Sequence, residues 1–90
     1  MEEQFKKYTH DLIFLTFGFE PLISVTEVPG SVIQITLDGT EHERQQMMGR
    51  GAANFQALKL LLRCFARRNG FFSYLYIKHP DGLTHSNITE

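Results

Sequence analysis

Apolar positions recur at helical spacing near the start of the chain: Phe5, Tyr8, Leu12 and Leu15, with Phe19 just beyond. This stripe predicts an amphipathic helix over 2–18 that Gly18 ends in a left-handed turn. The period then changes to two. Leu22 to Val28 alternates loosely, and Ser31 to Leu37 sets Ile33, Ile35 and Leu37 on one face and Val32, Gln34 and Thr36 on the other. Between them lies Pro29-Gly30, a turn pair in which Pro presets one torsion and Gly accepts a positive φ, so the two strands form a hairpin.

After Asp38-Gly39, the spacing of Thr40 and Glu43 is that of a capping box, and it predicts a short helix to about Met48. Gly49-Arg50-Gly51 interrupts that helix. A second helical pattern runs from Ala52 to Arg68 with Phe55, Leu58, Leu62 and Phe65 as its core stripe, and Asn69-Gly70 stops it. Phe71 to Lys78 returns to period two, with Phe71, Leu75 and Ile77 opposite Phe72, Tyr74 and Tyr76. His79-Pro80-Asp81-Gly82 ends that strand, and 81–90 is expected to be a flexible polar tail.

The resulting order, α-β-β-α-α-β, predicts an α+β two-layer sandwich: one sheet with its helices on one face, in a single domain over 1–80. Ninety residues supply one core at most. No apolar run approaches the roughly 20 residues of a membrane span, and Glu2-Glu3 is unlike the basic start of a secretion signal. The single cysteine, Cys64, has no intrachain partner and reads as buried filler in a reducing compartment. A cytoplasmic protein is expected.

A net charge of -1 conceals a strong segregation. Between Arg44 and Pro80 stand Arg44, Arg50, Lys59, Arg63, Arg67, Arg68 and Lys78 with no Asp or Glu, whereas residues 1–43 carry Lys6 and Lys7 against eight carboxylates. A basic half free of acid is the footprint expected for a polyanionic partner. A glycine-rich turn between two helices adds to it, because such a turn lets an anion approach the N-terminal end of the second helix. Arg50 at the tip is the first candidate for a phosphate contact. Lys59, Arg63 and Arg67 follow at i, i+4 and i+8 with Gln56 beside them, as a binding stripe or simply as a solvated face. Tyr74 and Tyr76, sharing a strand face with Lys78, suit base stacking, a subunit interface or packing.

The run Gly49-Arg50-Gly51-Ala52-Ala53-Asn54-Phe55-Gln56-Ala57-Leu58, preceded by Met47-Met48, resembles the G-x-x-G segment and following helix of bacterial type II KH RNA-binding proteins of the KhpA and Jag kind. The likeness in element order extends from about residue 2 to Ile77, since a type II KH domain places an extra helix and strand before its β-α-α-β core. Ala52 stands where the second loop glycine is expected, and Ala53 where that family often has a basic or polar residue. Read as a helical position, Ala52 favours the helix by about 1 kcal/mol over Gly.

The resemblance implies a small RNA regulator, chaperone-like factor or assembly factor. Single-stranded RNA would be clamped by the loop, about four nucleotides at a time, through Gly49, Arg50, Gly51, Ala52, Ala53, Gln56, Lys59 and Arg63. The partner protein implied is a second copy of the chain or a Jag-type KH protein. The alternative is a KH-like protein-interaction module that has lost nucleic-acid binding, as the two alanines and the acidic first half suggest. The four histidines show no metal-ligand spacing and no catalytic triad or carboxylate pair can be assembled. Neither a cofactor, a metal, a small-molecule substrate nor an enzymatic activity is expected.

Overall fold

The computed structural model describes residues 1–78 and a short strand at 84–86. Its elements are α1 (Glu2–Phe17), β1 (Leu22–Val28), β2 (Val32–Asp38), α2 (Glu41–Met48), a 3-10 turn (Arg50–Ala52), α3 (Ala53–Arg68), β3 (Phe72–Lys78) and β4 (Thr84–Ser86). The strands form one mixed sheet in the order β1-β2-β3-β4. β1 and β2 are the antiparallel hairpin, whose turn extends one residue past Gly30 to Ser31 at φ 59°. β2 and β3 are parallel, so the α2–turn–α3 segment is the crossover that parallel pairing demands. Three residues of the stretch expected as a flexible tail, Thr84–Ser86, instead pair antiparallel with Tyr76–Lys78. The strand-ending His79-Pro80-Asp81-Gly82 lies outside the described residues.

One sheet face supplies Ile33, Ile35, Leu37, Leu75 and Ile77 to the core, and the helices close over it with Phe5, Ile13, Met47, Phe55, Leu58, Leu62 and Ala66, all at most 4% exposed. The other face is left to solvent, with Leu22 and Phe72 both more than half exposed. This is the expected α+β two-layer arrangement.

Local chemistry sets the boundaries. Gly18 caps α1 in the left-handed region at φ 87° and its N–H donates to the Phe14 carbonyl at 2.9 Å. At the start of α2, the Glu43 N–H donates to Thr40 Oγ1 at 3.1 Å while the Thr40 N–H donates to Glu43 Oε1 at 3.0 Å, the reciprocal capping box. α3 ends in a Schellman motif: the Phe71 N–H reaches the Ala66 carbonyl at 2.8 Å and the Gly70 N–H the Arg67 carbonyl at 3.1 Å.

Two expectations are corrected. The buried stripe of α1 is Phe5, Thr9 and Ile13, while Tyr8 and Leu12 are half-buried and Leu15 is 80% exposed. The true stripe runs at i+4 spacing through a threonine. Its hydroxyl donates to the Phe5 carbonyl at 2.7 Å, and that bond makes the burial of a polar side chain affordable. Tyr8 turns sideways to stack on Phe65, with ring centroids 4.2 Å apart. Cys64 is exposed rather than buried, because the sheet-facing positions of α3 are 55, 58, 62 and 66, and residue 64 falls on the opposite side of the helix.

Candidate nucleic-acid interface

The loop between α2 and α3 has a backbone that only particular residues allow. Gly49 adopts φ 76°, ψ 172°, a region essentially confined to glycine. A Cβ at this position would also lie 2.7 Å from Asn54 Cγ and 2.8 Å from the Asn54 backbone nitrogen. Gly51 (φ 60°, ψ 26°) and Ala52 (φ 64°, ψ 23°) follow as two consecutive left-handed residues, after which Ala53 enters α3 with ordinary helical angles. Ala52 is therefore the N-cap of α3 and not a helical residue. The helix propensity of Ala does not act there, and its Cβ meets the steric cost of the left-handed region, about 1–2 kcal/mol. The helix start expected at Ala52 shifts to Ala53 for the same reason.

Asn54, in the first turn of α3, locks this geometry. Its Nδ2 donates to the Gln46 carbonyl at 2.7 Å, tying α3 back to the end of α2, where carbonyls lack helical partners. Gly49 is the only residue type that lets Asn54 come this close. The methyl of Ala52 turns inward and packs against the core, and Arg50 and Gly51 are exposed at the apex.

The donors of the loop are partly used. The Ala52 N–H donates to the Gly49 carbonyl at 3.2 Å and the Ala53 N–H to the Arg50 carbonyl, so both close the turn on itself. An anion at the tip would meet the Arg50 side chain and the open backbone around Gly51, where nothing lies within 4 Å of the Cβ position.

Of the expected site residues, Gly49 shapes the loop, Arg50 and Gly51 form its tip, and Ala53 and Gln56 are exposed on the first turn of α3. Lys59 and Arg63 are half-buried further along, and Arg67 continues their stripe in an exposed position. Arg63 and Arg67 line a cavity of about 320 Å³ together with Phe72, Ser73 and Tyr74 at the start of β3. Lys59 does not line it.

Among the described residues, Arg50, Lys59, Arg63, Arg67 and Arg68 take part in no ion pair. Arg44 does: Nη1 lies 3.2 Å from Asp38 Oδ1 and also donates to the Gly39 carbonyl, which makes it a brace between the end of β2 and α2. On the acidic side, Asp11 is held below its ordinary carboxyl value by the hydrogen bond from Lys7 and secondarily by His10.

Sequence reasoning missed the roles of Asn54 and Phe72 at this surface. Asn54 had a legible cue, a small amide in the first turn of a helix immediately after a glycine-rich break. Phe72 had none, since its side chain belongs to the sheet face opposite the helices and comes near α3 only because β3 is the strand beside Arg63 and Arg67. No group of three or more metal-ligating side chains occurs among the described residues, and no helix among them is long and apolar enough to cross a membrane. Comparison with protein-family models, with curated proteins and with solved structures finds no match.

Proposed function

We propose that this chain is a type II KH-like domain that binds single-stranded RNA, with no catalytic step of its own. The contact surface is the Arg50-Gly51 apex, the exposed first turn of α3 at Ala53 and Gln56, and the cations Lys59 and Arg63. The observation that carries the reading is the loop itself: a glycine-only conformation at Gly49, an exposed arginine beside an uncovered glycine, and a following helix whose four cations have no acidic partner among the described residues. The parallel pairing of β2 with β3 across a helix–loop–helix, preceded by a helix and a strand, is consistent with the element order that the resemblance implies. A second copy or a Jag-type KH protein is the protein partner proposed, in a cytoplasmic setting.

The rival reading is a protein-interaction module that has lost RNA binding. It is favoured by one observation, the closing of the Ala52 and Ala53 N–H groups within the turn, which removes two backbone donors from the reach of a phosphate. Titration of the protein with mixed-sequence single-stranded RNA across a salt series separates the two. Three or four phosphate contacts give a slope of log K against log salt of about -2 to -3, at roughly -0.7 per contact. Absence of binding at low salt, or a flat response, favours the protein-interaction reading.

A further inference from the structure

We infer that the RNA surface has a second subsite, at the far end of α3, that takes a base and its phosphate beyond the reach of the loop. The inference rests on the RNA-binding reading above and extends its length. Its basis is the cavity of about 320 Å³ lined by Arg63 and Arg67 together with Phe72, Ser73 and Tyr74. A second cavity of about 360 Å³, lined by Arg67, Gly70, Phe71 and Phe72, adjoins it through shared residues.

The chemistry of this place suits a nucleotide more than an isolated anion or an apolar group. Two cations without ion-pair partners among the described residues offer contacts to phosphate. Phe72, 61% exposed, offers an aromatic face on which a base of any identity can stack, and half-buried Tyr74 a second.

Distance makes the subsite separate from the loop. Arg67 lies fourteen residues beyond Ala53, which at about 1.5 Å per residue is about 21 Å along the helix. For a strand that keeps base-stacked spacing, about 3.4 Å per nucleotide, this is about six nucleotides, more than the roughly four a KH loop holds. A base-stacked strand that reaches both places therefore has a footprint longer than that of the loop alone.

The test is the affinity of the full chain for fluorescein-labelled mixed-sequence RNA strands of about four, six, eight and ten nucleotides, read by anisotropy. A four-nucleotide site finds about five registers on an eight-nucleotide strand and gains about fivefold by counting alone. A base stacked at the second subsite adds about fivefold or more, and about three of the five registers on an eight-nucleotide strand span the six nucleotides needed to reach it, so the expected gain from four to eight nucleotides is about 17-fold or more. In Phe72→Leu combined with Tyr74→Leu the gain should fall back to about fivefold with four-nucleotide binding unchanged. In Arg67→Ala, which leaves the surface assigned to the loop intact, the salt slope of the eight-nucleotide strand should flatten by about 0.7. Circular dichroism checks that each variant is folded, and the single Phe72→Leu change, at an exposed position, serves if the pair is not. A gain of only fivefold in the unaltered chain, or a larger gain that the variants retain, overturns the second subsite and leaves the loop reading standing. Failure to bind strands of any length overturns both.

Discussion

Replacing Ala52 by glycine tests the conformation of the loop through the sign of a stability change. If Ala52 were the first residue of a helix, glycine would cost up to about 1 kcal/mol. At φ 64°, ψ 23° the balance differs. Removing Cβ relieves about 1–2 kcal/mol of left-handed strain. Against this stand about 0.4–1 kcal/mol for the extra freedom of glycine in the unfolded chain, and about 0.4 kcal/mol for half of a buried methyl. The net effect is a stabilisation centred near 0.4 kcal/mol, within about -0.4 to 1.2. Ala53→Gly is the internal control, because Ala53 is exposed and has φ -63°, ψ -42°, so the same chemical change there should lose up to about 1 kcal/mol. Urea unfolding followed by circular dichroism at equal m gives both values. Equal losses of about 1 kcal/mol in the two variants would refute the left-handed assignment and the strain argument with it.

Gly49→Ala should cost about 1–3 kcal/mol or more, since it combines a glycine-only conformation with a clash against Asn54; Gly51→Ala, in open space at φ 60°, should cost less, about 0–1.6 kcal/mol, the left-handed penalty reduced by the lost freedom of the unfolded chain. Thermal melts of the two variants side by side check the order. Ile13→Ala should lose about 2–5 kcal/mol as a fully buried truncation, while Leu15→Ala should stay within about 0.5 kcal/mol; an equal loss in denaturant melts would contradict the observed face of α1. Asp11, with its carboxyl held below 3.8 by Lys7 and then His10, lends stability that is present above the unfolded value and is lost as pH falls through the lower folded one. Asp11→Asn should therefore be the less stable protein near neutral pH, and the difference should vanish in acid below that folded value, as a pH series of melts would show.

Element order and type were legible because local signals agree with the global fold. The change from helical to strand period at Leu22, the Thr40–Glu43 box and the Asn69-Gly70 stop each act within a few residues, so each can be read from spacing. What escaped depends on partners distant in sequence or on backbone torsion. Thr9 reads as polar until its hydroxyl is seen on the Phe5 carbonyl, and Leu15 reads as core until α1 is rotated to bury Thr9 in its place. Cys64 sits in an apolar stretch of α3 whose outward side also shows Leu60 and Leu61, so residue type alone misplaces it. The largest gap lay in the loop. Gly49, Arg50 and Gly51 were recognisable as a break between helices, but the left-handed state of Ala52 is invisible in a residue type that rarely adopts it.

That left-handed state bears on how the loop would hold RNA. Ala52 keeps its strained torsion while its methyl packs inward and its N–H closes on Gly49, so the residue serves the shape of the turn and presents neither donor nor clearance to a ligand. The N–H groups of Ala52 and Ala53 are both used within the turn, so the affinity proposed for the loop draws chiefly on the Arg50 side chain and on the cations along the helix. Charge on flexible side chains is screened by salt and tolerant of sequence. Arg50→Gln, which keeps length and polarity but removes the charge, should then lower affinity for all RNA sequences by the same factor and flatten the salt slope by about 0.7. A loss confined to particular sequences would mean that the loop reads bases, and would return the binding to the backbone of Gly51 and the first turn of α3.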